Sequence, residues 1–339
     1  MCRLVQRRGI IGLFCLLFVA SSVVPGWAQK DNRFEVSKNL DIFNSLLKEV
    51  EMFYVDSVDV DKTVQRGIEA MLAGLDPYTE YYPEQKTEEL SLMTTGEYGG
   101  IGSLIRQRNN EGGVMIAEPT EGMPADLAGL KPGDLILAID TIDVSKATNS
   151  RVSELLKGVP NTKMVLTIQR PGEKKPRKFE ITRKQITTPQ VTYYGVKNDS
   201  IGYIYLKAFT IKSAQEVKEA FLDLKKNHNI KSLVLDLRGN GGGVLEGAVQ
   251  IVGMFVPKGS EVLSTKGKIK QWDRTYRTST EPLDTVMPLA ILINGGTASA
   301  AEIVSGSLQD MDRAVLVGQR SFGKGLVQAP RDLPYNGKV

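Results

Sequence analysis

Apolar residues change their spacing twice along this chain, and each change marks a different kind of structure. Near the start, Leu40, Phe43, Leu46, Leu47 and Val50 recur at helical spacing, which predicts an amphipathic helix from Val36 to Tyr54. A second helix is predicted over Val60 to Ala73, closed by Gly74 and by Asp76-Pro77. Tyr78, Tyr81 and Tyr82 follow in a cluster, and the whole region reads as a helical packing element. From about Gly96 the pattern turns to short strands: Ile101 to Arg106, Val114 to Ala117, Leu135 to Asp140, Lys163 to Gln169 and Arg177 to Thr182. Short helices are expected near Pro124 to Ala128 and Val152 to Leu156. From Gln185 onward strands alternate with helices: Ile201 to Leu206, Ser213 to Lys226, Ser232 to Leu237, Leu245 to Phe255, a strand ending at Asn294, a helix from Ser299, and Ala314 to Val317. That alternation predicts crossover helices on a largely parallel sheet. The chain as a whole reads as a multidomain α+β and α/β protein.

The first residues have a different character. Arg3, Arg7 and Arg8 precede an apolar run from Ile10 to Ala20, and Gly26-Trp27-Ala28 offers small residues for a cut after Ala28. This is the pattern of a secretory signal, and it implies export. An uncleaved anchor, the alternative, would put the chain beside a membrane, although the run is short for a span. Both cysteines, Cys2 and Cys15, would leave with the signal, so no disulfide, cysteine nucleophile or thiolate metal site is expected. The formal net charge is +4, three of it within the first 28 residues. The remainder, about +1, is no footprint for nucleic acid. His228 is the single histidine, in a polar loop, so no histidine metal site is expected and a hydrolase would need another base.

Chemistry concentrates in three stretches near the C-terminal end. Asn294-Gly295-Gly296-Thr297-Ala298-Ser299-Ala300-Ala301-Glu302 follows an apolar strand and opens a helix. Ser299 therefore stands where free backbone N–H groups and the helix dipole favour an oxyanion, the layout a serine nucleophile needs. Arg238-Gly239-Asn240-Gly241-Gly242-Gly243 could bare N–H groups as an anion nest, half of an oxyanion hole whose other half is the N–H of Ala300. Lys324, in Ser321-Phe322-Gly323-Lys324-Gly325, is the best candidate base. Walled by apolar groups it would lose hydration and act as a neutral amine, with Gln328 holding it in line. Taken singly, the three stretches also read as an ordinary N-cap, a tight glycine turn and a surface lysine.

Two resemblances bring these stretches together. Residues 95–184 resemble a PDZ domain, through Tyr98-Gly99-Gly100-Ile101-Gly102, which looks like that family's carboxylate-binding loop, and Ala128-Gly129-Leu130-Lys131-Pro132-Gly133-Asp134-Leu135-Ile136. The resemblance implies that Tyr98, Gly99, Gly100, Ile101 and Gly102 bind the C-terminal carboxylate of a polypeptide. The chain also resembles the carboxyl-terminal processing, or tail-specific, proteases. It does so through Asp236-Leu237-Arg238-Gly239-Asn240-Gly241-Gly242-Gly243, Gly295 to Glu302, Phe322-Gly323-Lys324-Gly325 with Gln328, and Leu75-Asp76-Pro77-Tyr78-Thr79.

That second resemblance implies a crotonase-like (ClpP-like) α/β core with an inserted PDZ domain and an N-terminal helical segment. It implies Ser299 as nucleophile, Lys324 as general base, Gln328 as its positioner, and oxyanion donors at Gly242 or Gly243 and at Ala300, without metal or cofactor. The implied boundaries are 1–28 signal, 29–94 helical segment, 95–184 PDZ and 185–339 protease core. The implied protein is a secreted serine endopeptidase, periplasmic or cell-envelope in a bacterium, that takes substrates with apolar C-terminal tails. The exposed side of the first helix would offer a homodimer contact. A non-catalytic tail-binding scaffold with a degenerate core is the alternative, and an acyl-CoA enzyme a third reading. Family members usually continue with further strands, whereas this chain reads as stopping in mid-hairpin at Tyr335-Asn336-Gly337-Lys338-Val339. An incomplete core would expose a sheet edge and loosen Lys324.

Overall fold

The computed structural model describes residues 32–108 and 112–339. The expected signal segment, residues 1–28, lies outside them. The chain divides into two compact units, one ending at Met71 and one running from Leu72 to Val339.

The first unit holds α1 (Arg33–Phe53) and most of α2 (Val60–Ala73). The predicted periodicity is present in α1, yet none of its residues is buried; Phe34, Leu40, Phe43, Leu46 and Phe53 all stay exposed.

The second unit opens with α3 (Thr87–Thr95), which the sequence reading missed, and β1 (Glu97–Gly100). A six-stranded antiparallel sheet follows: β2 (Ser103–Gln107), β3 (Val114–Pro119), β4 (Leu135–Ile139), β5 (Ile142–Asp143), β6 (Lys163–Gln169) and β7 (Arg177–Thr182), in the order β2-β3-β4-β6-β7 with β5 on β4. Helices α4 (Pro124–Leu127) and α5 (Asn149–Leu156) complete this body. The predicted strand start at Ile101 is corrected. Ile101 is buried in the core, and Gly102, at φ +67°, turns the chain before β2 begins. Alternation along β6 and β7 buries Met164, Leu166, Ile168, Phe179 and Ile181 on one face.

The Lys131-Pro132-Gly133-Asp134 turn has a structural cause. Asp134, wholly buried, takes a two-pronged ion pair from Arg170 at 2.8 Å and 2.8 Å and the Lys131 N–H at 2.9 Å. Burial pushes this carboxyl up, but the Arg170 guanidinium and the Lys131 N–H outweigh it and hold it below the usual range.

Strand β8 (Lys184–Thr187) returns to pair with β1. The second sheet then takes β9 (Val191–Lys197), β10 (Ile201–Leu206), α6 (Ser213–Asn227), β11 (Ser232–Asp236), α7 (Leu245–Gly253), the side hairpin β12 (Glu261–Thr265) and β13 (Arg274–Arg277), β14 (Leu289–Ile293), α8 (Ala300–Asp310) and β15 (Val315–Gly318). Its order is β15-β14-β11-β10-β9, parallel throughout except for β9. Helices α6, α7 and α8 bury their apolar faces in one core with Ile204, Leu235 and Ile291. The C-terminal ends of β11 and β14 are adjacent, and there the two glycine-bearing loops meet. The last residues close a short hairpin, with Arg331 and Val339 exchanging backbone hydrogen bonds at 2.8 Å and 3.0 Å around a turn in which Tyr335 and Asn336 both have positive φ.

Candidate active site

Ser299 joins β14 to α8 with a backbone that is not that of an ordinary cap. N-cap residues are usually extended, whereas Ser299 has φ 55° and ψ −118°. Sparsely populated conformations of this kind cost roughly 1–3 kcal/mol and persist where surroundings enforce them. Here Glu302 enforces it: its carboxylate accepts the Ser299 N–H at 2.8 Å, while its own N–H donates to the Ser299 carbonyl at 2.8 Å.

The facing glycine loop is fixed by Asn240, which is wholly buried. Its side chain accepts the Gly242 N–H at 2.9 Å and donates to the Leu206 carbonyl at 2.9 Å, and its carbonyl takes the Ala298 N–H at 3.0 Å. A Cβ on Gly242 would stand 2.7 Å from Ser299 Cβ and 2.9 Å from the Ala300 nitrogen. Glycine there is what lets the loop backbone lie against the serine. The expected oxyanion donors, Gly242 or Gly243 with Ala300, differ in their bonding. The Gly242 N–H is committed to Asn240. The N–H groups of Gly243 and Ala300 donate to no acceptor among the described residues.

Two further side chains, Asn294 and Thr297, tie the loops together. Asn294 Oδ1 accepts the N–H groups of Gly239 and Gly296 at 2.9 Å and 3.0 Å, and buried Thr297 donates its hydroxyl to the Leu237 carbonyl at 2.8 Å. Asp236, buried at the end of β11, accepts from the Tyr203 hydroxyl at 2.6 Å and from Arg238 at 2.6–3.1 Å. Burial pushes the Asp236 carboxyl up, but Arg238 and Tyr203 outweigh it and hold it below the usual range. Sequence reading assigned Asn240, Asn294 and Thr297 no role, because a side chain bonded to remote backbone leaves no periodic signal.

Lys324 lies in a stretch without helix or strand. The expected apolar wall around it is corrected: Phe322, Leu326 and Val327 are exposed, and Lys324 itself is only half-buried. Its backbone is held by Glu302, whose carboxylate accepts the N–H of Lys324 at 3.2 Å, the N–H of Gly323 at 2.6 Å and the Ser321 hydroxyl at 2.8 Å. Burial pushes the Glu302 carboxyl up, and these bonds with the Ser299 N–H bring it below the usual range. One carboxylate thus grips both the serine and the lysine segment. The Lys324 ammonium bonds the side-chain carbonyl of Gln328 and sits 5.0 Å from the centre of the Tyr78 ring. It makes no hydrogen bond to Ser299 in this conformation. Such contacts commonly tighten only when substrate is present.

In the N-terminal sheet, Tyr98, Gly99 and Gly100 pair with Ile186, Gln185 and Lys184. Of the expected carboxylate loop, Tyr98 to Gly100 thus lie in β1, and Ile101 and Gly102 lie beyond it. The N–H groups of Ile101 and Gly102 donate to no acceptor among the described residues. They lead into β2, which pairs with β3 on one side only, so its other edge is open beside α5. No cluster of side chains that could hold a metal occurs among the described residues.

Comparison with known proteins identifies the family. The profile of peptidase family S41 matches residues 200–339, and that of the PDZ domain matches residues 115–170. The carboxy-terminal-processing protease of Bartonella bacilliformis is 36% identical over 98% of this chain and 76% of its own length. A "Probable CtpA-like serine protease" of Staphylococcus aureus is 33% identical over 87% of this chain, which spans 58% of that relative's length. Among solved structures, the photosystem II D1 C-terminal processing protease is 29% identical, covering 88% of this chain and 85% of that one, with a TM-score of 0.46. The chain belongs to the carboxy-terminal-processing serine proteases of peptidase family S41 and carries a PDZ domain.

Proposed function

We propose that this chain is an exported serine endopeptidase that captures the C-terminal tail of a polypeptide and cleaves near that end. Ser299 is the nucleophile, Lys324 the general base and Gln328 its positioner. The N–H groups of Gly243 and Ala300 receive the oxyanion. The observation that carries the reading is the strained Ser299 backbone set against a glycine loop with an uncommitted N–H beside it. In the first step Ser299 Oγ attacks the scissile carbonyl as its proton passes to the Lys324 amine. The protonated amine then gives that proton to the leaving nitrogen.

The tail adds to the open edge of β2, with its carboxylate on Ile101 and Gly102. Exposed Leu104 on β2 favours an apolar tail. We place the domain limits at 95–184 and 185–339, the second with a crotonase-like core, after an export signal over 1–28 and a helical segment over 29–94. The exposed apolar residues of α1 support a homodimer contact. Among the described residues no helix is long and apolar enough to cross a membrane.

A non-catalytic tail-binding scaffold draws on one observation, the Lys324 ammonium resting on Gln328 and Tyr78 rather than on Ser299. Ser299→Ala separates the two. We expect cleavage of an unfolded protein with an apolar tail to fall about 10⁴-fold or more, with tail binding unchanged. Equal turnover by wild type and Ser299→Ala would sink the enzymatic assignment of this site.

A further inference from the structure

Tyr78 touches both members of the base pair, although it stands 246 residues before Lys324. Its carbonyl accepts a hydrogen bond from the Gln328 side-chain nitrogen, and its ring faces the Lys324 ammonium at 5.0 Å. Gln328 in turn gives its carbonyl oxygen to Lys324. The three residues close a circuit, and the circuit has a direction. A glutamine amide has one donor end and one acceptor end. With the donor end held by the Tyr78 carbonyl, the acceptor end must face the amine. Released from Tyr78, the amide can turn and present N–H groups to a cation.

The short segment carrying Tyr78 is built to hold it still. Asp76 accepts the N–H groups of Tyr78 and Thr79 and the Thr79 hydroxyl, each at 2.7 Å, and Pro77 between them has a fixed φ. Those bonds, the Thr79 hydroxyl first, hold the Asp76 carboxyl below its usual range. Further on, Tyr82 exchanges two backbone bonds with Lys338 at 2.8 Å, and Asn336 donates to Glu84 at 2.8 Å. The strap is braced within itself at Asp76 and tied to the last residues of the chain at Tyr82 and Glu84. The lysine segment it touches has no regular structure and exposed flanking side chains. A long side chain in such a segment keeps its rotamer freedom unless something outside holds it.

We propose that the Tyr78 side chain is a positioning group for the base: its ring steadies Lys324, beside the main-chain carbonyl that orients Gln328. The strap from Asp76 to Glu84 thereby sets how the amine approaches Ser299. The proposal rests on the Ser–Lys reading above.

The test uses the full chain and two readouts. One is kcat and KM on an unfolded protein ending in alanines. The other is the rate at which a fluorophosphonate labels Ser299, which needs the activated serine but no bound tail. We expect Tyr78→Leu to lower kcat about 10- to 100-fold, the scale of a misplaced reacting group, with KM within about twofold. Labelling should slow by a similar factor. Tyr78→Phe, which keeps the aromatic face, should stay near wild type; the main-chain carbonyl is present in every variant. Tyr78→Leu/Gln328→Ala should lose no more than the worse single variant, since both act on one amine.

Wild-type turnover and labelling in Tyr78→Leu would overturn the proposal, and so would a fully multiplicative loss in the double variant. If the leucine variant melts below the assay temperature, Tyr78→Met carries the same reading, as it keeps apolar bulk without an aromatic face. Lys324→Ala separates this proposal from its premise. Full turnover there would remove the dyad itself, whereas an inactive Lys324→Ala beside a normal Tyr78→Leu would remove only the role of Tyr78.

Discussion

Ser299 and Lys324 are gripped by the same carboxylate of Glu302, yet their settings have little else in common. The serine sits between a central strand and a helix whose apolar face is buried, opposite a loop pinned by Asn240, Asn294 and Thr297. The lysine sits in open coil, among exposed Phe322, Leu326 and Val327, and is held by side chains that reach in from elsewhere. One half of the site is therefore set by the folding of the core, because Asn240 and Thr297 are buried and bonded to buried backbone. The other half is set by a few exposed contacts, each worth little alone. The nucleophile and oxyanion side should be rigid and costly to disturb, and the base side easy to move.

Substitutions on the two sides should separate activity from stability. Asn240→Ala strikes the buried side. It leaves the Gly242 N–H and the Leu206 carbonyl without their partner, so we expect a loss of about 1–3 kcal/mol in denaturant unfolding. With the loop displaced, turnover should fall about 10²- to 10³-fold, the scale of a lost oxyanion donor. A variant as stable and as active as wild type would break the distinction.

Glu302→Gln strikes the joint. The amide keeps the shape but turns a donor toward groups that are themselves donors, so turnover should fall about 10²-fold with a smaller change in melting temperature. If KM alone changed, Glu302 would be acting on substrate and not on the dyad. Gln328→Ala strikes the exposed side. We expect kcat to fall about tenfold, the low end for a positioning group, while unfolding shifts by less than about 0.5 kcal/mol.

The smallest effect concerns acid. Burial pushes the Asp284 carboxyl up, but Lys225 at 2.7 Å and the N–H groups of Val286 and Met287 bring it from 3.8 to about 2. A carboxyl lowered in the fold adds stability above its unfolded value, and that stability is lost as pH falls through the folded value. Melting of the protease core should hold steady from pH 7 to about 4 and decline toward about 2, the window set by this shift. Asp284→Asn should flatten that decline; an unchanged acid profile in the variant would remove Asp284 as its source.

Much of this architecture could be read directly from the chain. Strands β6, β7 and β10 stand where alternating apolar residues placed them, and α2 ends at the residue that Gly74 and Pro77 predict. The strand-to-helix joint at Ser299 was legible because an apolar run, a glycine pair and a helical repeat follow one another there. By contrast, β9, β1 with β8, and the β12–β13 hairpin escaped, since edge and two-stranded pieces carry mixed polarity and depend on a partner for their definition.

The residue types of the site and their order were thus set by local sequence, where hydrophobic period and glycine placement act over a few residues. Which N–H groups remain uncommitted, what Asn240 and Glu302 hold, and that Tyr78 meets Lys324 were decided only by the tertiary structure. Those contacts join positions as far apart as 250 residues. Their energies depend on burial and on the direction of single hydrogen bonds, and neither leaves a pattern in the linear chain.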